Sequence, residues 1–108
     1  MEQEGYRLQA RMVKALAHPT RLKMLTLLRE GERCACEFGP LLGLRQANVS
    51  QHLGVLRKAH VVNTRRDGVR IMYSLSDERM AEVLDTLAYI ARDQFVEAAA
   101  ALREVAHN

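Results

Sequence analysis

The sequence has few cysteines, no tryptophan and no long apolar run. Two cysteines in 108 residues exclude a disulfide-dense scaffold. No apolar run approaches the 18 residues typical of a membrane span, and the first twelve residues lack the apolar core of a secretory signal. Apolar residues make up 48% of the chain and charged residues 27%, as in ordinary globular proteins. We therefore expect one cytoplasmic domain over residues 1–108.

Motifs of common enzyme classes are also missing from the sequence. It contains no glycine-rich phosphate loop, no serine-centred elbow and no HExxH segment. No two of the four histidines are separated by two or three residues, as in His-x-x-His or His-x-x-x-His. The histidine spacing therefore gives no basis for a zinc site. We expect a protein that is not an enzyme.

The net charge of +3 is distributed unevenly along the chain. Residues 45–70 hold six basic side chains against Asp67, a local charge of +5. Residues 71–108 hold three basic and seven acidic side chains, a local charge of −4. A basic segment inside a mixed-charge protein is typical of nucleic-acid binding, although a solvated surface gives the same pattern.

Apolar spacing predicts four helices before residue 61, over residues 5–17, 20–30, 36–42 and 45–60. Pro19 separates the first two, and Gly31 stands where the second would be capped. Two strands follow, over residues 61–65 and 70–75, and Asp67-Gly68 between them is a strong hairpin signal. Ser76 is the predicted N-cap of a last amphipathic helix. The predicted fold is mainly α with a β-hairpin wing, a winged helix-turn-helix.

The third and fourth helices, joined through Gly43, have the pattern of a helix-turn-helix DNA-binding unit. Amide and hydroxyl side chains on the fourth helix suit base edges, and basic side chains near its end and on the hairpin suit phosphates. The predicted DNA-binding residues are Arg45, Gln46, Asn48, Ser50, Gln51, His52, Arg57, Lys58, Arg65, Arg66 and Arg70.

Cys34 and Cys36 form a Cys-x-Cys pair just before the predicted third helix. Thiolates are soft ligands, and two of them can chelate one soft metal or metalloid ion. Side chains at i and i+2 share a face only in an extended chain, so chelation requires residues 34–36 to be extended or the helix to unwind. A disulfide between them would close a very small ring in a reducing compartment, and we do not expect one.

Several segments together resemble the ArsR/SmtB family of winged-helix repressors of metal and metalloid resistance genes. They are residues 15–22, ALAHPTRL; residues 48–53, NVSQHL; and residues 68–75, GVRIMYSL. The resemblance implies a homodimer, formed through the first and last helices, that binds double-stranded operator DNA and releases it when an inducer binds.

The Cys-x-Cys pair matches in position the element used by arsenic-responsive family members. The resemblance therefore implies As(III) or Sb(III) as the inducer, bound at Cys34 and Cys36. Arsenic sensors often carry a third cysteine where this chain has Gly39, so the third ligand would be a small thiol, water or a side chain such as His18. Zinc-sensing members use Asp and His pairs on the last helix, and here Asp77 is present without those histidines.

Two other functions remain open from the sequence. A repressor of the same fold could respond to thiol oxidation or persulfides through the same cysteines, or to another soft metal. A structural module that only dimerises through its last helix would leave the basic middle segment unexplained.

Overall fold

The computed structural model describes residues 2–107 and contains five helices and three strands. The helices are α1 (Gln3–Leu16), α2 (Pro19–Leu28), α3 (Ala35–Leu42), α4 (Gln46–Lys58) and α5 (Arg79–His107). The strands are β1 (Arg33–Cys34), β2 (Val62–Asp67) and β3 (Arg70–Leu75). The predicted winged helix-turn-helix order is confirmed, and β1 is an addition to it.

A single apolar core joins the helices to the base of the sheet. The side chains of α2, α3 and α4 meet there because their apolar residues recur at helical spacing. The largest fully buried side chains are those of Phe38, Met24, Leu25, Leu53, Leu56, Val49 and Val61. Within residues 2–107, no helix is both long and apolar enough to cross a membrane.

The sheet is antiparallel with strand order β1-β3-β2. β2 and β3 form the predicted hairpin, which closes at the Asp67–Arg70 pair around Gly68 and Val69. Gly68 has a φ of 63°, a left-handed conformation that glycine adopts without steric cost. β1 adds to the other edge of β3, with Arg33 opposite Tyr73 and Cys34 opposite Met72.

Three predicted helix ends are wrong, because hydrogen bonds place them elsewhere. α2 ends at Leu28 with Arg29 as its C-cap, and Gly31 lies beyond in a turn closed onto the Leu28 carbonyl. α4 ends at Lys58, because His60 takes a left-handed φ of 61° and the Val61 N–H donates to the Leu56 carbonyl.

The predicted N-cap of the last helix is the third error. The Ser76 hydroxyl donates instead to the His60 carbonyl, at 2.8 Å. The Asp77 carboxylate takes the capping role by accepting the Arg79 N–H at 2.8 Å, and α5 begins at Arg79. A serine beside an aspartate leaves two candidate caps, and the contact with a residue 16 positions away decides between them.

Candidate DNA-binding surface and cysteine pair

Helix α4 presents a polar face to solvent because its apolar residues occupy the opposite face. Val49, Leu53 and Leu56 are buried, and they recur at the three- and four-residue intervals that align one side of a helix. Nearly all the predicted DNA-binding side chains on or beside α4 are exposed: Arg45, Gln46, Asn48, Ser50, Gln51, Arg57 and Lys58. This set leaves hydrogen-bonding and cationic groups available to a ligand outside the protein.

His52 differs from the other predicted contacts because it is half-buried. Its ring packs on His18, with centroids 4.5 Å apart, and its Nδ1 lies 3.3 Å from Nη1 of Arg21. Burial, together with the charges of His18 and Arg21, lowers the pKa of His52. The structure therefore gives His52 a contact role between α2 and α4, and its ring is less accessible to DNA than its neighbours.

The three predicted arginines of the wing are exposed but differ in their contacts. Arg65 makes a two-point ion pair with Glu32, at 2.7 and 2.5 Å. This hydrogen-bonded pair lowers the pKa of Glu32 and raises that of Arg65. Within residues 2–107, neither Arg66 nor Arg70 has a carboxylate partner in an ion pair. Arg66 and Arg70 are therefore the wing cations that no described carboxylate pairs with.

The cysteine pair stands where strand β1 becomes helix α3. Cys34 has extended dihedral angles and is the N-cap of α3, while Cys36 is already helical. The Cys34 Sγ accepts the Cys36 N–H at 3.1 Å, and the Glu37 carboxylate accepts the Cys34 N–H at 2.6 Å. This reciprocal capping holds the two residues at the junction. Cys34 is buried and Cys36 is exposed.

The structure contradicts the expectation that the two cysteines are not bonded, because Cys34 and Cys36 form a disulfide. The pair is neither fully extended nor fully helical. Since only Cys36 lies inside the helix, the Cα atoms stand 5.1 Å apart and the sulfurs can meet. This separation is within the usual range for disulfides. The junction between β1 and α3, which the sequence did not predict, brings the two sulfurs together while α3 stays helical.

An open groove beside the cysteines connects them to the candidate DNA-binding surface. Its lining includes Cys34 and Cys36, Gln46 at the start of α4, and Arg70 and Ile71 of the wing. The wing is also linked through the sheet, because Cys34 pairs with Met72, which pairs on its other side with Arg65. A ligand held at the cysteines would therefore lie between the two parts of the candidate DNA-binding surface.

The described residues bring no third metal ligand to the cysteine pair. Within residues 2–107, no group of three or more His, Cys, Asp or Glu side chains is arranged to hold a metal ion. The structure does not group His18 with the cysteine pair. Its Nδ1 accepts the Thr20 N–H at 3.1 Å and its ring packs on His52. The Asp77 carboxylate is engaged by Arg79, which lowers the pKa of Asp77 to about 2.

Comparison with known proteins places this architecture in a family. The sequence profile described as "Bacterial regulatory protein, arsR family" matches residues 18–64. The HTH-type transcriptional regulator Rv0081 of Mycobacterium tuberculosis is 46% identical over 86 residues, which cover 78% of this chain and 75% of that protein. The chain belongs to the arsR family. The probable mercury resistance operon repressor of Streptomyces lividans is 42% identical over 84 residues, 78% of this chain and 67% of the relative.

Solved structures agree with this membership in the arsR family. The crystal structure of Rv0081 superposes with a TM-score of 0.79 at 38% identity, covering 92% of this chain and 99% of that one. The solution structure of the homodimeric winged helix-turn-helix domain of Mb0332 from Mycobacterium bovis has a TM-score of 0.77 at 28% identity, covering 86% and 88% of the two chains. Two predictions are confirmed. The fold is a winged helix-turn-helix, and the protein is a DNA-binding transcriptional repressor of the ArsR/SmtB family rather than an enzyme.

Two residues that contact the candidate DNA-binding surface were missed by sequence reasoning. Arg21 fixes His52, and Glu32 holds Arg65, across separations of 31 and 33 residues. Local periodicity carries no signal for such contacts. Glu32 could have been noticed only as an acidic residue two positions before the cysteine pair.

Proposed function

We propose that the protein is a homodimeric repressor that binds operator DNA through α4 and the wing and releases it when trivalent arsenic or antimony binds Cys34 and Cys36. One observation carries this proposal: the cysteine pair shares a groove with Gln46 of α4 and Arg70 of the wing. An inducer bound there contacts both DNA-binding elements, as a coupling between two sites requires.

The proposed DNA contacts divide by chemistry. Side chains of α4 that can pair with base edges are Gln46, Asn48, Ser50 and Gln51. Cations that suit phosphates are Arg45, Arg57, Lys58, Arg65, Arg66 and Arg70. His52 borders this surface and acts mainly by fixing α4 against Arg21 and His18.

The chemistry of the cysteine pair fits a soft, low-coordinate inducer. In the reduced protein both sulfurs become thiolate donors, and the junction that lets them bond also lets them approach one ion. Cys36 is exposed, so the third position of a trivalent ion faces solvent, where water or a small thiol can occupy it. Bound arsenic or antimony would supply a soft, covalent link between the N-cap and the first turn of α3.

Exposed apolar side chains on α1 and α5 support the proposed homodimer. Tyr6 and Val13 of α1 share one face, and Phe95 and Leu102 of α5 share another, at seven-residue intervals. Phe95 is 74% exposed and Leu102 is 71% exposed in the single chain. The homodimeric state of the Mb0332 domain supports the same arrangement here.

The proposal is tested by operator release. Operator DNA is first selected from random duplexes with the reduced protein, and fluorescence anisotropy then follows its release by arsenite, antimonite, mercury, cadmium and zinc. Wild type should release on arsenite or antimonite, while Cys34→Ser and Cys36→Ser bind the operator normally and do not release it. Normal release by either single variant would contradict chelation, and release by mercury or cadmium alone would assign another soft metal.

A second candidate function, response to thiol oxidation or persulfides, is favoured by the Cys34–Cys36 disulfide itself. Oxidation would remove both thiolates and fix the junction between β1 and α3. The same anisotropy assay separates the two functions, because an oxidation sensor releases DNA on peroxide or persulfide treatment and is restored by a reductant. A metalloid sensor should stay bound to the operator after either treatment, and in its reduced form it should release DNA on arsenite or antimonite.

A further inference from the structure

A groove lined by basic residues lies where α1 and α2 pack against the C-terminal half of α4. Here α1, α2 and α4 form a groove whose floor includes Ala15 and Ala59. Both alanines are buried, at 2% and 3% exposure, so the floor is apolar and recessed. Four long basic side chains line this groove: Arg11, Lys14, Arg21 and Lys58. We call it the α1 groove.

The cations of the α1 groove form no ion pairs with the carboxylates that the structure describes. Within residues 2–107, no carboxylate forms an ion pair with Arg11, Lys14 or Lys58. Arg21 is held in place by its own contacts, since its Nε donates to the Ala15 carbonyl at 2.6 Å and its Nη1 lies 3.3 Å from His52. Like charges gathered around one concavity repel one another, and an anion bound between them relieves that repulsion.

The position of the α1 groove identifies the anion. Val55 and Lys58 place the groove along one flank of α4, whereas Gln46 places the cysteine groove and the wing along the other. A helix lying in the major groove of DNA has a phosphate strand on each side of it. The wing supplies Arg66 and Arg70 on one side. On the other flank, the α1 groove brings Arg11, Lys14 and Arg21 beside Lys58 of α4.

We infer that the α1 groove binds the phosphodiester backbone of the DNA strand opposite the wing, with Arg11 and Lys14 as its main contacts. This inference rests on the proposed operator binding by α4. It adds a second phosphate site, whose main contacts Arg11 and Lys14 lie outside the basic segment of residues 45–70.

Sequence charge counting does not reveal this site. Arg7, Arg11 and Lys14 recur at i, i+4 and i+7 and so share one stripe of α1, but Glu2 and Glu4 partly offset their charge in any local sum. The stripe becomes significant only when α1 packs beside the end of α4.

The test measures how DNA affinity depends on salt. The double variant Arg11→Ala/Lys14→Ala is compared with wild type and with Lys23→Ala/Arg92→Ala, which removes the same charge from exposed positions outside the α1 groove. Each lost phosphate contact lowers the slope of log K against log salt by about 0.9. We expect the double variant to lose about two slope units per protomer on both operator and unrelated duplexes, and the control to change much less.

Phosphate ethylation interference supplies the decisive second readout. In wild type, ethylation of certain phosphates on the strand opposite the wing should block DNA binding. Ethylation of the same phosphates should no longer affect binding by Arg11→Ala/Lys14→Ala.

If the double variant and the control show equal slopes and identical interference patterns, the α1 groove does not bind DNA. If wild type itself binds no selected operator, the proposed function fails first. Circular dichroism and thermal melting verify folding, and Arg11→Gln/Lys14→Gln replaces the alanine variant if that one is unstable.

Discussion

At the scale of single residues, the contact between α3 and the start of α4 depends on the absence of a side chain at Gly39. A β-carbon there would lie 2.9 Å from the Leu44 carbonyl oxygen, which is closer than real contacts allow and belongs to the backbone. The Gly39 carbonyl also accepts the Leu44 N–H at 3.0 Å, which fixes the turn. Gly39→Ala should therefore lower the free energy of unfolding by about 1–3 kcal/mol, measured by urea denaturation.

Gly54 provides the matched control because it lies inside α4 with open space where its β-carbon would be. Gly54→Ala should raise the free energy of unfolding by about 0.5–1 kcal/mol, since alanine loses less conformational entropy in a helix. Equal effects of the two substitutions would show that helix propensity, rather than close packing against Leu44, determines the outcome at Gly39.

His52 makes the stability of the fold dependent on pH. Burial first, and then His18 and Arg21, lower its pKa in the folded protein below the ordinary value of 6.5. The unfolded chain therefore binds a proton more readily at this residue, and folding stability should fall as the pH drops below about 6.5.

Urea denaturation between pH 7.5 and pH 5 measures this effect. Wild type should lose more stability over that interval than His52→Gln, which cannot titrate. Parallel losses in the two proteins would exclude His52 as the source, and a larger loss in the variant would reverse the sign of the expected coupling.

At the scale of secondary structure elements, the sequence predicts those helices and strands that are determined by short-range patterns. The recognition helix and the hairpin follow from apolar spacing and from Asp67-Gly68, and both are found. Strand β1 has only two residues and no periodicity of its own, because it exists by pairing with Tyr73 and Met72 nearly forty positions away. The disulfide was considered and rejected for its small ring and a reducing compartment, because the junction that places Cys34 at the end of β1 and at the N-cap of α3 was not predicted.

The wing arginines should differ in their effect on DNA binding because only one of them has a partner in the protein. Arg65 is held by Glu32, whereas no described carboxylate pairs with Arg66. Arg66→Ala should reduce the salt slope of DNA binding by about one unit per protomer, and Arg65→Ala should reduce it less. Fluorescence anisotropy with an unrelated duplex over a salt series gives both slopes.

Glu32→Gln extends this test in the opposite direction. Removing the carboxylate frees Arg65 and removes one negative charge from the neighbourhood of the wing, so this variant should bind any duplex more tightly than wild type. A weaker binder would show that the Glu32–Arg65 pair positions the wing for DNA instead of withholding Arg65 from it.

At the scale of the whole molecule, α5 extends well beyond what one chain needs for its own core. Its 29 residues span about 43 Å at 1.5 Å per residue. Among residues 79–105, whose burial the structure describes, only Met80 and Leu84 belong to the buried core. Large apolar side chains continue along the helix in exposed positions: Val83, Leu87, Tyr89, Ile90, Phe95, Val96, Leu102 and Val105. An exposed apolar surface of this extent indicates a protein partner, which we propose to be a second copy of the chain.

Phe95→Glu tests that partnership and its link to DNA binding. A carboxylate in the centre of the apolar surface should convert the dimer to a monomer in sedimentation equilibrium, because burying an unpaired charge is costly. A monomer engages one half-site, so its affinity for a two-half-site operator should fall by about 100-fold or more, while its affinity for an isolated half-site changes little.

Gln94→Glu adds the same charge at the neighbouring position and should remain dimeric with nearly unchanged operator affinity. A dimeric Phe95→Glu with normal operator binding would place the interface elsewhere, whereas a dimeric variant that loses binding to both sites would point to a local defect in the DNA-binding surface.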